Sequence, residues 1–291
     1  MKKTKFTSTL QKENKQYVDL HMHSTHSDGD YKVHELIDTC VKKGMTAMSI
    51  TDHDNIEAYN EGKAYAEELN IEFVPGVEIS TFYENTEIHM LGYYYSPNHL
   101  VFNQSLLEIQ EKRVVRVRNI VKKLNAHGIE IRFERVQEKA KGKSIGRPHI
   151  AAVMLEEEYI NNIGQAFEKY LCKDFVKEFE GDKLTPAEAI SLINQAGGVS
   201  VLAHPFRTER DDLIEGMVEA GLQGIETYCN GLSASHTQKY KDYAKKYNLV
   251  KCGGADFHSD KYGSRNGLGS IKVPYSSLEQ LKELHKNKCC T

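Results

Sequence analysis

Nowhere in this chain do eighteen apolar residues run together, and no apolar stretch backs the basic start MKKTKFTSTLQKENKQ. Neither a membrane span nor an export signal is therefore expected. Cys-x-x-Cys spacing is missing among Cys40, Cys172, Cys229, Cys252, Cys289 and Cys290. These read as buried or incidental thiols of a reducing compartment, and a cytoplasmic location is expected. An excess of charge of one sign is also missing, with 38 Lys and Arg against 41 Asp and Glu. No global basic field exists to favour duplex DNA, so a nucleic-acid substrate would have to be held locally. Low-complexity tracts and fixed-period repeats are absent, which leaves an ordinary globular chain long enough to bury a substantial core.

What the chain does have is concentrated early, in YVDLHMHSTHSDGD, residues 17–30. Val18, Leu20 and Met22 alternate with Asp19, His21 and His23, the period-two signature of a half-buried strand. His21 and His23 then project from one face, where two imidazoles can close on one cation. Further on, VHELIDTCVKKG has helical spacing ending in Gly44, TAMSI reads as a strand, NIEAYNEGKAYAEELN as a helix and EFVPGVEIS as a strand. The beat resumes with helix TPAEAISLINQAGG, strand VSVLAHP, helix DDLIEGMVEAG, strand GIETY, helix SHTQKYKDYAKKYN and strand LVKCGGADFHS. Strands alternating with helices predict an α/β fold on a mainly parallel sheet. Between residues 101 and 184 the beat changes to long, charged helical sequence, which predicts a helical insertion.

The ligand-type residues fall at strand ends. His21 and His23 close one strand, His53 follows another, Glu78 ends FVPGVE, His89 lies in EIHMLGYYY, His204 ends VSVLAHP, and Asp256 and His258 close KCGGADFH. In parallel α/β architectures those ends form the functional rim, so these residues are expected to converge. A lone histidine at a strand end is more often a hydrogen-bonding residue, and His26, His34, His99, His127 and His236 are read that way. Asp30 and Asp54 read as turn or helix-capping acids. A nitrogen and oxygen ligand set without cysteine suits manganese, iron or zinc.

HMHSTHSDG, TDHD, PGVEIS, AHP and ADFHS, in that order from Tyr17 to Gly269, resemble the successive motifs of the PHP (polymerase and histidinol phosphatase) phosphoesterases. The resemblance implies a distorted (β/α)7 barrel formed by residues 17–100 and 185–291, after a tail over residues 1–16. The helical insertion over 101–184 would be a substrate cap. It also implies two or three divalent ions: one on His21, His23, Glu78 and Asp256, a second sharing Glu78 and adding His89 and His204, a third on Asp28, His53 and His258. Some relatives carry histidine at the position of Asp28. Such ions bring a bridging water toward neutral pKa and stabilise charge on both oxygens of a phosphate ester, so a bridging hydroxide would be the nucleophile. Asp52 and Asp19 are candidates for orienting ligand imidazoles, and His204 and Asp52 lie near enough in motif terms to serve the leaving oxygen.

GKSIGRPHIAAVMLEE, residues 142–157, narrows the substrate. Pro148 in a first helical turn sets Arg147 and His149 beside exposed N–H groups, a favourable anion site, although a charged helix start is the plain alternative. The stretch resembles the PHP branch acting on nucleoside 3′,5′-bisphosphates and on 5′-phosphorylated short RNA. There Arg147 and His149 would hold a phosphate that is not cleaved, with Arg207 a second cation. Competing readings are a histidinol-phosphate-type monoesterase, a non-catalytic metal-binding accessory module, and amide hydrolysis at a polynuclear centre.

Overall fold

The computed structural model describes residues 16–141, 144–260 and 267–289. The expected N-terminal tail lies outside these residues except for Gln16, as do Gly142, Lys143 and Cys290. The first half of the α/β framework runs β1 (Tyr17–Asp19), α1 (Val33–Lys42), β2 (Ala47–Met48), α2 (Glu57–Glu68), β3 (Glu72–Phe73), β4 (Gly76–Tyr83) and β5 (Thr86–Tyr93). A wholly helical stretch follows: α3 (Leu100–Ala126), α4 (Phe133–Lys139), α5 (Arg147–Glu156), α6 (Ile163–Gln165) running into a π-helical turn at Ala166–Tyr170, and α7 (Lys173–Val176). The framework returns with α8 (Pro186–Gln195), β6 (Val199–Leu202), α9 (Ile214–Glu219), β7 (Gly224–Cys229), α10 (Ala234–Lys246), β8 (Val250–Gly254), β9 (Val273–Pro274) and α11 (Tyr275–Cys289).

Local chemistry accounts for these elements. Helix α1 buries Val33, Leu36, Ile37 and Cys40, one face at helical spacing, while the Glu35 carboxylate accepts the Lys32 N–H at 2.8 Å. Helix α8 opens with Thr185 and Glu188 capping one another and with Pro186 in the first turn. Helix α3, at 27 residues about 40 Å long, carries Val117, Ile120 and Leu124 into a core shared with Ile150, Val153 and Leu171. That core is distinct from the clusters under the sheets.

Two sheets form, in the orders β3-β2-β1-β9 and β4-β5-β6-β7-β8. The alternating pattern predicts a mainly parallel sheet, and β1-β2-β3 and β6-β7-β8 are parallel. Strands β4-β5-β6 and the pair β1-β9 are antiparallel instead. Glu84 and Asn85, at φ 45° and 59°, make the tight two-residue turn that folds β5 back on β4. EFVPGVEIS reads as one strand, but Pro75 divides it: β3 belongs to one sheet and β4 to the other. The sheets meet through isolated parallel bridges, Met22 with Phe257 and His53 with Glu78, so the described strands do not close into one continuous barrel ladder.

The junction between the β1 and β8 ends, where Met22 meets Phe257, needs glycine. A Cβ on Gly254 would stand 2.4 Å from the His21 backbone nitrogen and 2.6 Å from Asp19 Oδ1. Only a bare Cα lets the end of β8 lie against the His21 segment, and Asp256 N–H then donates to the His21 carbonyl at 2.8 Å.

Candidate metal centre

Each strand-end motif delivers its side chains to one place. His21 and His23 follow β1, and their Nε2 atoms lie 3.2 and 3.1 Å from Glu78 Oε2 and 3.4 and 3.2 Å from Asp256 Oδ1. The predicted shared face is thus observed. His53 Nδ1 stands 3.2 Å from the same Glu78 oxygen. His89, opposite Ser80 across the β4–β5 ladder and diagonal to Glu78, brings Nδ1 to 2.9 Å from Glu78 Oε1. His204 Nε2 comes to 3.0 Å from that oxygen. Asp28 lies 3.7 Å from His23 and His53 and 3.4 Å from His258.

Burial disfavours charge on Glu78, Asp28 and Asp256, yet the imidazoles around them hold all three carboxyls well below their usual range. Burial likewise works against a charged His23, but Asp256 and Glu78 outweigh it and push the imidazole up to about 10. His89 rises to about 9 in the same way, with Glu78 the main counterweight to burial. His53 and His204 go down, because desolvation wins there.

The donor set fits metal ions. His21 Nε2, His23 Nε2, His53 Nδ1, Asp28 Oδ1 and Glu78 Oε2 are buried atoms without a hydrogen-bond partner, although they face one another at these short distances. An unpaired buried polar atom costs about 1–3 kcal/mol. Several aimed at shared points are satisfied together by cations. The ligand atoms fall into three groups, each within 4.8 Å: His21, His23, Glu78 and Asp256; His23, Asp28, His53 and His258; and His53, Glu78 and His89. The first is the group the family resemblance implies. The others reuse His23 and His53 where the implied partition shared only Glu78, and His204 joins through Glu78 rather than within a group.

Other expected residues are placed differently. Asp52 does not touch an imidazole: its carboxylate accepts the Ser24 N–H at 2.7 Å and the Ser24 and Ser27 hydroxyls at 2.6 Å each. Ser27 Oγ lies 3.4 Å from His23 Nδ1, so Asp52 acts at one remove by shaping the Ser24–Gly29 loop. Asp19 accepts N–H groups from His21, Ala255 and Gly269, and burial pushes its carboxyl up to about 7. The residue that does orient an imidazole is Glu226 on β7, buried and 3.0 Å from His21 Nδ1, with its other oxygen accepting the His204 N–H at 2.6 Å. The sequence signal was a charged residue between Ile225 and Thr227 in an otherwise buried strand. Asp54 is more than a turn acid: it accepts the Ser80 N–H at 2.9 Å and pairs with Arg113 of α3 at 2.5 Å. His204, Asp256 and Asp54 all hold positive φ, at 26°, 50° and 52°, strain of the kind found at functional sites.

Over the cluster lies a cavity of about 250 Å³ whose far wall is the helical stretch, with Arg113, Arg116, Arg147, Phe167 and Lys183 lining it. Arg147 reaches the cavity, but its guanidinium pairs with Glu87, which also holds Lys183. His149 does not line the cavity. Its Nδ1 accepts the Gly146 N–H at 3.0 Å and its Nε2 lies 3.1 Å from the Ser27 carbonyl, so both ring nitrogens are committed to α5 and the Ser24–Gly29 loop. Arg207, half exposed, pairs with Asp256 Oδ2 at 2.7 Å on the cavity wall.

Comparison with known proteins agrees with this geometry. Residues 19–141 match the PHP domain. The chain is 33% identical over 251 residues to a 5′-3′ exoribonuclease of Haemophilus influenzae, covering 82% of this chain and 89% of that protein. The chain belongs to the PHP family. A second relative, 29% identical over 255 residues with 86% and 90% coverage, is a 3′,5′-nucleoside bisphosphate phosphatase of Chromobacterium violaceum. Among solved structures, a Bifidobacterium adolescentis protein assigned as a metal-dependent phosphoesterase superposes with a TM-score of 0.82 at 25% identity, over 92% of this chain and 96% of the other. PHP membership accounts for the ordered histidine and carboxylate motifs meeting at one centre.

Proposed function

We propose that this PHP protein is a metal-dependent phosphoesterase acting on nucleoside 3′,5′-bisphosphates or 5′-phosphorylated short RNA, with two or three manganese, iron or zinc ions. The observation that carries the reading is the set of buried, mutually facing nitrogen and oxygen atoms without hydrogen-bond partners around Glu78. In this reading the two bridged sheets make a distorted (β/α)7 barrel over residues 17–100 and 185–291, and residues 101–184 cap it. The ligands are His21, His23, Asp28, His53, Glu78, His89, His204, Asp256 and His258. When bound, divalent ions supply an activated water and screen phosphate charge.

The chain's own residues supply the rest. Glu226 fixes the ring of His21, and Asp52 fixes the loop that carries Asp28. Arg113, Arg116, Arg147 and Lys183 turn positive charge toward the cavity opposite the carboxylate cluster, which suits a dianionic group lying between them. A second phosphate on the substrate competes with Glu87 for Arg147 and Lys183. His149 positions Arg147 through the start of α5 and does not itself touch phosphate. Phosphate release from nucleoside bisphosphates, histidinol phosphate and nucleoside monophosphates, together with mononucleotide release from short 5′-phosphorylated RNA, tests the reading. The bisphosphate is expected to outperform its single-phosphate analogue, and Arg147→Ala to remove most of that advantage, roughly ten- to a hundredfold in kcat/KM. Equal turnover of mono- and bisphosphates by the wild type contradicts the nucleotide reading.

A further inference from the structure

Charged side chains and imidazoles share the cavity wall with Val117, Ile120 and Pro148, and one phenyl ring, that of Phe167, enters it. Phe167 lines both the space above the metal cluster and the side opening that continues past Ile163 and Pro148 to Arg207. Its backbone is unusual. Phe167 sits in the π-helical turn Ala166–Tyr170, where the Leu171 N–H donates to the Ala166 carbonyl at 2.7 Å, five residues back. The wider turn carries an extra residue, the device by which helices re-aim a side chain at functional sites. Ala166, fully buried, anchors the turn in the core of the helical stretch, while Phe167 is only partly buried beside it. The Arg147 guanidinium lies 5.9 Å from the ring centroid, which ties the ring to the cation that also holds Glu87.

We propose that Phe167 is a stacking platform for the nucleobase of the substrate, at the junction between the metal cavity and its side opening. The inference rests on the nucleotide reading above and adds the group that recognises the base. A planar heteroaromatic ring satisfies an aromatic face without asking for hydrogen bonds, and stacking tolerates every base because each has a π-face. The charged groups around the cavity are committed to phosphate and metal chemistry. Phe167, with Pro148 and Ile163 beside it, supplies apolar surface at the mouth where a base attached to a bound phosphate would lie.

The test compares nucleoside 3′,5′-bisphosphates carrying different bases with a base-free ribose bisphosphate, using wild-type, Phe167→Leu and Phe167→Tyr proteins loaded with manganese. Phe167→Leu is expected to raise KM for every nucleotide on the order of tenfold with kcat little changed, and to leave the base-free sugar unaffected. Phe167→Tyr should stay close to wild type. In parallel, proton NMR of adenosine 5′-monophosphate with the metal-free protein should show the base protons shifted upfield by the ring, and Phe167→Leu should abolish the shift. Equal losses on base-free and base-containing substrates make Phe167 a packing residue and overturn the proposal, as does a wild type without the upfield shift. If the wild type hydrolyses base-free and base-containing bisphosphates alike, the platform fails while the phosphoesterase reading stands; if it hydrolyses no phosphate ester, both fail.

Discussion

Five imidazoles meet one carboxylate, since His21, His23 and His53 face Glu78 Oε2 while His89 and His204 face Oε1. No other side chain at the centre touches so many candidate ligands, so its charge is the least replaceable. Glu78→Gln keeps the shape and removes the charge. Activity should fall at least about a hundredfold, the scale of losing a principal electrostatic element, and bound metal should fall with it. Near-wild-type turnover in this variant would take Glu78 out of the centre. The same electrostatics predict a pH dependence. The acids around His23 and His89 raise these imidazoles to about 10 and about 9, so in the metal-free protein both carry protons at neutral pH. A metal ligand must be neutral, and binding must therefore release protons. Metal affinity should rise with pH through the neutral range and level off only near those values. Calorimetry in buffers of different ionisation enthalpy reads the release directly, and heats independent of the buffer contradict it.

Between elements, the decisive link is Asp54 to Arg113, which ties the loop before α2 to the long helix α3 and, through Ser80, to β4. Both side chains are buried, so removing one strands the other's charge. Arg113→Ala should cost about 3–5 kcal/mol, the range for breaking a buried pair, measured by urea unfolding. A loss below about 1 kcal/mol would show that Asp54 finds another partner. Legibility in the sequence followed the range of the interactions. Alternation over Val18, Leu20 and Met22, helical spacing in α1 and the capping pair of α8 are local, and they were readable. The antiparallel β4–β5 hairpin was less so, because two positive-φ residues, Glu84 and Asn85, carry it where no glycine announces a turn. Strand β9 and its pairing with β1 were not anticipated, since two residues leave no period to read. At the site, the histidines and acids at strand ends were legible as types in sequence. Glu226 and Asp54 were not, because their importance lies in partners more than 20 residues away. The commitment of His149 to the Ser27 carbonyl, 122 residues away, was hidden for the same reason.

At the scale of the whole molecule, two sheets and a helical stretch enclose a centre that gathers more nitrogen and oxygen ligands than one ion can use. Among the described residues, no helix is long and apolar enough to cross a membrane, and the histidine and carboxylate cluster is buried at the junction of the two sheets. Ions that bind only the folded chain should stabilise it, by about 2.7 kcal/mol at a free concentration a hundred times the dissociation constant. A chelator should lower the unfolding temperature correspondingly. The most direct measurement is metal stoichiometry by plasma emission on protein saturated with manganese, iron or zinc and freed of loosely held ions. The wild type should hold more than one ion per chain, and Glu78→Gln a lower ratio. A saturating ratio of one or less would contradict a polynuclear centre.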